Sequence, residues 1–473
     1  MSQKLLRERN EHMLAGIQNK LYDSSKIDKQ NLLFTNKDLK ILLIPLIVEQ
    51  ILNSMMGMAD TVMVSNVGSA AISAVSLVDS ISNLVIQVFS AMAVGGTIVC
   101  SQYLGREDKK GCNIAARQVL LSIFVISMVI TILGITMRES LLRTVFGEVE
   151  AEVMSNSLIY FLITALSYPF LALFSAGAAF YRAGGNSKFP MKISVISNIL
   201  NIVGNFILIF VFHMGVAGAA LATLVSRVFC SITVLYFLHK PHQPIVLNHY
   251  LQIRPQFSMI SKILSIAIPA GIENGMFQFG KLMIQSTVST MGTVAIAAQG
   301  MTNILENVNG VVGSGIGIGL MTVVGQCMGA GRKEEARYNI VKLTGFAEIG
   351  IILSCLFAFA ITKPVTIIGN MEAESARLCF ELMIWITLIK PLVWVLSFIP
   401  AYGMRAAGDV KFSMMVAVST MWLCRVSLCI YLCNYWGLGP IAVWIGMFAD
   451  WTLRGIIFTT RFISGKWIEK KVI

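Results

Sequence analysis

The sequence predicts an all-α integral membrane protein of about twelve transmembrane helices. We expect two six-helix bundles related by a pseudo-two-fold axis along the membrane normal. Composition, charge placement and an internal repeat lead to this prediction. Of the 473 residues, 56% are hydrophobic and 13% charged, whereas soluble domains carry about 25% charged residues. Segments such as "LLSIFVISMVITILGITM" and "FAEIGIILSCLFAFAIT" approach the roughly 20 apolar residues that crossing a membrane requires.

Basic residues are distributed unevenly along the chain. We expect loops on one side of the membrane at 105–113, 182–190, 239–262, 329–337 and 405–411. With both termini and the adjoining span ends, these loops hold 28 of the 37 Lys and Arg, and the opposite loops hold four. This positive-inside pattern predicts cytoplasmic termini and a multi-pass protein of the bacterial inner (plasma) membrane. The net charge of +12 therefore indicates topology, and no nucleic-acid partner is expected.

The two halves of the chain repeat each other. At a shift of 224 residues, "PLIVEQ" from Pro45 falls on "PAGIEN" from Pro269. In the same register, Gly95, Gln102 and Gly105 fall on Gly319, Gln326 and Gly329. Six spans return the chain to its starting side, so both halves should insert in the same orientation. Parallel repeats of this kind are a transporter architecture in which substrate binds between the halves.

The repeat also sets the expected divisions of the chain. They are a cytoplasmic N-terminal segment at 1–37, six-helix bundles at 38–238 and 263–460, a cytoplasmic linker loop at 239–262 and a cytoplasmic tail at 461–473. The N-terminal segment is either an amphipathic helix on the membrane surface or disordered. A monomer embedded in membrane lipid is expected, because one chain supplies both halves.

Three spans of the first half place polar side chains at one depth. Asp60 lies about 9 Å from the outer end of the first span, at 1.5 Å per residue. Asn205 lies about 10 Å deep and Thr223 about 12 Å, and Asn201 shares a helical face with Asn205. Carboxylate, amide and hydroxyl oxygens suit a monovalent cation, and a carboxyl group shielded from water can also carry a proton. The four residues therefore form a candidate site for Na⁺ or H⁺.

The second half provides an internal comparison for this site. Asp60, Asn201 and Asn205 correspond there to Ile284, Leu423 and Ser427. A purely structural role would favour keeping the polar residues in both halves, so the asymmetry favours ion coupling. The alternative is that the asparagines are interhelical hydrogen-bonding residues.

A second group of intramembrane polar residues is predicted to line a substrate cavity. Its members are Glu49, Asn53, Asp79, Glu273, Gln278, Lys281 and Glu306. Glu49 and Glu273 occupy equivalent repeat positions, and acids inside a span are candidate contacts for a cationic substrate. Alternatively, Lys281 neutralises one of the glutamates as a buried ion pair. Asp450 and Arg454, four residues apart on the last span, are interpreted as a local ion pair.

The first-span "MADTVMV", the loops "SQYLGRED" and "GQCMGAGRK", and the turns "RAGGNSK" and "RAAGDVK" resemble motifs of the MATE (multidrug and toxic compound extrusion) family. The resemblance covers about residues 38–460. It implies a secondary active antiporter that exports amphipathic, cationic organic compounds in exchange for inward Na⁺ or H⁺. The family's cation site is similar to Asp60, Asn201, Asn205 and Thr223. Some members carry Asp at the position of Asn205, so the resemblance leaves the coupling ion open.

Two other classes of function compete with this interpretation. The first is a flippase or exporter of a lipid-linked or polysaccharide precursor with the same two-bundle architecture. It usually needs a strongly cationic cavity, whereas acids accompany Lys281, Lys390 and Arg425 here. The second is a membrane enzyme, but the sequence contains no H-E-x-x-H and no C-x-x-C pair. No catalytic residue, cofactor or metal is expected beyond a Na⁺ at the coupling site.

Overall fold

The computed structural model describes residues 21–28, 30–147, 150–241, 243–248 and 254–473, except for the side chains of residues 57–59, 61, 62 and 65. Throughout this part of the chain the regular structure is helical, as predicted. The prediction for residues 1–37 lies largely outside the described residues.

The described chain is a succession of helices. In chain order they are α1 (Asn36–Ser65), α2 (Ser69–Gly105), α3 (Lys109–Thr136), α4 (Arg138–Phe146), α5 (Ala151–Leu166), α6 (Tyr168–Ala183), α7 (Lys188–Asn205), α8 (Gly215–Leu238), α9 (Phe257–Ser289), α10 (Thr293–Gly329), α11 (Lys333–Ile368), α12 (Ala373–Ala406), α13 (Val410–Thr420), α14 (Leu428–Trp436) and α15 (Ile441–Ser464). A π-helical segment, Phe206–Val211, extends α7, and another, Met421–Ser427, joins α13 to α14.

The described helices support a multi-pass membrane protein. Ten are long and apolar enough to cross a membrane, and the bent pair α5 and α6 provides an eleventh crossing. Helix α9 is 33 residues long but carries the predicted polar stripe, and it does not meet the same criterion. By length and composition the described helices thus give ten or eleven crossings, close to the twelve that the sequence predicts.

The pair α5 and α6 bends by 42°. Ser167 lies at the junction, and its hydroxyl donates to the carbonyl of Thr164 at 2.6 Å. Pro169 occupies the first turn of α6, where its missing N–H costs no helical hydrogen bond. The bend therefore forms where the serine can end α5 and the proline can begin α6.

The chain divides into two compact units. The first unit comprises Ile41–Cys100 and Asp108–Gln278, and the second comprises Met1–Lys40, Ser101–Glu107 and Phe279–Ile473. The bundle limits expected from the repeat stay a prediction.

In the first unit, α7 and α8 pack closely at a glycine. A Cβ atom on Gly204 would lie 3.0 Å from the Cβ of Ala222, a separation tighter than ordinary van der Waals contact. Small residues at such positions let helix backbones approach in a membrane. The same pair of helices is joined by a hydrogen bond from Asn201 of α7 to Thr223 of α8.

In the second unit, the segment before α1 is bonded to the start of α11. The N–H of Asp23 donates to Glu334 at 2.9 Å, and the N–H of Leu33 donates to Glu335 at 2.6 Å. Arg332 in turn donates to the carbonyl of Asn31 at 2.7 Å. The part of the N-terminal segment from residue 21 onward, Lys29 excepted, is thus held in place by specific hydrogen bonds.

Candidate functional site

The four residues of the predicted cation site lie together in the first unit. Asn205 donates through Nδ2 to Asp60 Oδ1 at 2.7 Å and to Asn201 Oδ1 at 3.2 Å. Asn201 donates through its own Nδ2 to Thr223 Oγ1 at 3.1 Å. A single hydrogen-bonded chain therefore runs from the carboxylate on α1, across two amides on α7, to the hydroxyl on α8.

The local structure of α7 explains why both asparagines face the same way. They are four residues apart, so they lie on one helical face. The α-helix ends at Asn205, and the π-helical segment that follows changes the direction of later side chains. Segments of this kind occur frequently at functional sites.

The polar atoms of this site are mostly buried, so a buried atom without a hydrogen bond there is a candidate ligand for an ion. Asn201 is fully buried and Asn205 is 1% exposed, whereas Asp60 is half-buried. Asn205 Oδ1 has no hydrogen-bond partner among the described residues. A buried acceptor usually has a partner, and an amide oxygen beside a carboxylate is a suitable ligand for a hard monovalent cation.

A second polar cluster of the first unit surrounds Asp79. This exposed carboxylate on α2 hydrogen-bonds to the Tyr160 hydroxyl and lies near Arg227. Arg227 on α8 donates to Ser167 Oγ at 2.6 Å. Sequence reasoning singled out Asp79 but assigned no role to Tyr160 or Arg227. The arginine itself was the available signal, because a charged residue inside an apolar span is costly and usually functional.

Glu49, predicted to contact substrate, is engaged within the first unit. It is 2% exposed, and its Oε1 lies 2.6 Å from Arg182 Nη2. Asn53, one turn further along α1, is exposed. Glu273 and Gln278 of α9 are half-buried and also belong to the first unit. The predicted cation-site residues thus form one hydrogen-bonded network, whereas Glu49 is held by Arg182, a residue that the sequence did not assign to it.

Lys281 and Glu306 belong to the second unit. Lys281 is exposed and lies within electrostatic reach of Glu306. The direct partner of Glu306 is Lys390 of α12, whose Nζ lies 2.5 Å from Glu306 Oε1. Sequence reasoning considered Lys281 as the neutralising cation and gave Lys390 no contact.

The predicted Asp450–Arg454 ion pair is confirmed. Asp450 Oδ1 lies 3.1 Å from Arg454 Nη2, and Asp450 Oδ2 lies 3.0 Å from Arg425 Nη2. All three side chains are buried. Two guanidinium groups therefore share one carboxylate, which adds a cation to the expected pair.

Comparisons with known proteins agree on the family. The MatE family profile matches the chain twice, over residues 45–207 and 269–431. The two ranges begin 224 residues apart (269 − 45), which is the shift of the internal repeat.

Individual relatives cover nearly the whole chain. It is 27% identical over 452 residues to "Probable multidrug resistance protein NorM" of Thermotoga maritima, covering 92% of this chain and 94% of that protein. It is 23% identical over 379 residues to "Multidrug export protein MepA" of Staphylococcus saprophyticus, covering 79% and 82% respectively.

Among solved structures, the chain resembles the outward-facing conformation of a multidrug resistance MATE family transporter of the MOP superfamily. The TM-score is 0.84 at 19% identity, covering 94% of this chain and 98% of that chain. At this identity the likeness concerns the fold. The fold, the repeat and the doubly matched family profile lead to one conclusion: the chain belongs to the MatE family, the MATE family of membrane transporters.

Proposed function

We propose that this protein is a secondary active antiporter that exports amphipathic, cationic organic compounds in exchange for inward Na⁺ or H⁺. Its place is the bacterial cell membrane, with both termini in the cytoplasm. The names of its relatives, a probable multidrug resistance protein and a multidrug export protein, support drug-like substrates. The acids Asp79 and Glu273 inside the spans support a positive charge on the substrate, whereas Glu49 and Glu306 already hold Arg182 and Lys390.

The observation that carries the proposal is the hydrogen-bonded chain of Asp60, Asn205, Asn201 and Thr223. Asp60 supplies the negative charge, and Asn205 Oδ1 supplies a neutral oxygen whose hydrogen-bonding capacity is unused among the described residues. Asn201 and Thr223 fix the orientation of the Asn205 amide. A Na⁺ would bind these oxygens directly, whereas a proton would reside on the Asp60 carboxyl group.

Either ion changes the same hydrogen bond. An ionised Asp60 accepts a hydrogen bond from Asn205 Nδ2. A cation or proton on the carboxylate reduces its negative charge and so weakens this hydrogen bond. Loading the site therefore favours a different arrangement of α1 relative to α7. The proposed coupling follows, because a ligand shifts a conformational equilibrium only through such differential contacts. One carboxylate in this network also implies one monovalent charge exchanged at the site.

The experiment uses purified protein in liposomes with a fluorescent organic cation. A Na⁺ gradient and a pH gradient are imposed separately on wild type, Asp60→Asn and Asp28→Asn, a substitution at an exposed position. We expect transport by wild type and Asp28→Asn under one of the two gradients, and its loss in Asp60→Asn. The active gradient identifies the ion. Transport by Asp60→Asn at the wild-type rate under both gradients would show that Asp60 is structural.

One observation favours the precursor flippase as a second candidate. In the second unit, the networks around Glu306 and Asp450 described above contain two acids and four cationic side chains from the spans. The cations are Lys281, Lys390, Arg425 and Arg454. An anionic headgroup would suit that excess. If wild type moves no organic cation under either gradient, transfer of a fluorescent polyprenyl-pyrophosphate lipid across the same liposomes becomes the decisive assay.

A further inference from the structure

Lys390 of α12 occupies an unusual position inside the second unit. Its side chain has no exposed surface, although a lysine is almost never fully buried unless it is paired. Its Nζ donates to Glu306 Oε1 at 2.5 Å, to the carbonyl oxygen of Glu306 at 3.4 Å and to Asn309 Oδ1. Three oxygens thus accept from an ammonium group that has three hydrogens to donate.

Aromatic rings complete the surroundings of this ammonium. Lys390 Nζ lies 5.3 Å from the centroid of the Trp394 ring and 5.8 Å from that of Trp451. Both distances fall within the range of cation–π attraction. One carboxylate oxygen, two neutral oxygens and two indole rings therefore face one positive charge. Proteins use the same groups to bind an external monovalent cation or an organic ammonium ion.

The oxygens belong to one rigid element, and the ammonium belongs to another. Glu306 and Asn309 are three residues apart on α10, so they lie on one face of that helix. Lys390 reaches them from α12. Beside the ammonium, a Cβ atom placed on Gly310 would meet only Lys390 Nζ within 4 Å, at 3.7 Å. The oxygens are thus presented by α10 alone, with space next to the charge that they hold.

We propose that Glu306 and Asn309 form a second cation-binding site, whose resident cation is the ammonium group of Lys390. In the wild type the protein's own side chain fills this site, so the second unit exchanges no external cation there. When the ammonium is removed, the same oxygens bind Na⁺ or a small primary ammonium ion. A quaternary ammonium ion is rejected, because its carbon substituents keep the charged nitrogen from direct contact with the three oxygens, which Na⁺ and a primary ammonium ion can both make.

A cation-binding site and a simple buried ion pair behave differently when Lys390 is truncated. Breaking a buried pair leaves an uncompensated charge, which is strongly destabilising. If the oxygens form a cation site, a dissolved cation of the right chemistry restores the stability. If they form only a pair, no cation does so.

The test measures the midpoint of thermal unfolding, Tm, of purified protein in detergent at constant ionic strength. The salts are sodium, ethylammonium, tetramethylammonium and choline chloride. All variants carry Asp60→Asn, so that cation binding at the first site contributes nothing and the result does not depend on the proposed function. The site variants are Lys390→Ala, which leaves room for a cation, and Lys390→Met, which fills the space with an uncharged chain. Lys363→Ala is the matched control, because Lys363 is an exposed lysine of α11.

We expect Lys390→Ala to have a lowered Tm in choline and to recover at least about 2 °C in sodium or ethylammonium, as ligand binding to the native state requires. Tetramethylammonium gives no recovery. Lys390→Met and Lys363→Ala show no cation-specific change, and adding Glu306→Gln to Lys390→Ala abolishes the recovery. Equal Tm values of Lys390→Ala in all four salts would overturn the proposal. So would failure of Lys390→Ala to fold in sodium and in ethylammonium when Lys390→Met folds.

Discussion

At the scale of single residues, the orientation of one amide organises the cation site. Asn205 uses its nitrogen for Asp60 and Asn201, which leaves its buried oxygen available. Asn201 can hold this arrangement only while Thr223 accepts from it. Thr223 therefore acts through the asparagines, and its substitution tests whether the chain works as a unit.

Thr223→Val removes the hydroxyl and keeps the shape of the side chain. The buried Asn201 Nδ2 loses its acceptor, at a cost of about 1–3 kcal/mol, so the orientation of Asn205 is less well fixed. We expect the concentration of coupling ion that gives half-maximal transport in liposomes to rise about tenfold. Thr223→Ser keeps the hydroxyl and should behave like wild type. Equal ion dependence of Val and Ser variants would show that Thr223 contributes nothing to the site.

The Glu49–Arg182 pair supports a prediction about stability. Its side chains are 3% and 16% exposed, at 2.6 Å. Arg182→Met leaves a buried carboxylate without its partner, which should lower the free energy of unfolding by about 3 kcal/mol. Arg143→Met breaks a pair whose side chains are 60% and 61% exposed, and it should cost less than about 1 kcal/mol. The free energies of unfolding of both variants are measured in detergent and compared with that of the wild type. A loss no larger for Arg182→Met than for Arg143→Met contradicts a structural role for the pair.

Residue positions on one helix were predictable, but partners between distant helices were not. The spacing of Asn201 and Asn205, together with span depth, was enough to group them with Asp60 and Thr223. The partner of Glu49 lies 133 residues away, where no periodicity reports it. Lys390 likewise contacts Glu306 across 84 residues, so the sequence suggested the nearer Lys281 instead.

At the scale of elements, the C-terminal ends of α2 and α10 meet at a pair of glycines. A Cβ atom on Gly105 would lie 2.7 Å from the carbonyl carbon of Gln326. A Cβ atom on Gly329 would lie 2.7 Å from that of Gln102. These are equivalent positions in the repeat, and all four residues belong to the second unit. The reciprocal contact requires the absence of a side chain at both glycines.

Gly105→Ala places a methyl group against backbone that cannot move aside independently. Overpacking of this kind typically costs 1–3 kcal/mol, so we expect a loss of about 2 kcal/mol in unfolding free energy. Gly300→Ala is the matched control, since its Cβ meets nothing within 4 Å. That substitution should be neutral or stabilising by up to about 1 kcal/mol, from helix propensity. Thermal unfolding in detergent distinguishes them, and equal Tm values would show that α2 and α10 do not need this close contact.

Most of the membrane-crossing helices followed from hydropathy, but helix irregularities did not. Apolar length predicted the crossings, because each span must cover the same membrane thickness. The π-helical segments Phe206–Val211 and Met421–Ser427 depend on tertiary packing and left no mark in the apolar pattern. The bend between α5 and α6 had local signals in Ser167 and Pro169, yet neither residue specifies an angle.

At the scale of the whole molecule, the repeat and the charge distribution carry separate information. The repeat indicates two halves in the same orientation, and the family profile matches both halves at the same 224-residue shift. The placement of Lys and Arg predicts which side of the protein is cytoplasmic. With this orientation, the cation is expected to reach Asp60 from the outside, since Asp60 is predicted to lie nearer the outer end of its span.

Cysteine labelling checks this orientation directly. Of the nine free cysteines, seven are buried and two are half-buried, so their replacement gives a background for single exposed cysteines. Lys110→Cys and Glu374→Cys are both at exposed positions, in the first turns of α3 and α12, which are predicted to face the cytoplasm and the exterior respectively. We expect a membrane-impermeant maleimide to label only Glu374→Cys in intact cells, and both variants after permeabilisation. The opposite result would show that the protein inserts in the reverse orientation, with Asp60 nearer the cytoplasm. An ion that enters from the outside would then have to cross the longer part of the span to reach Asp60.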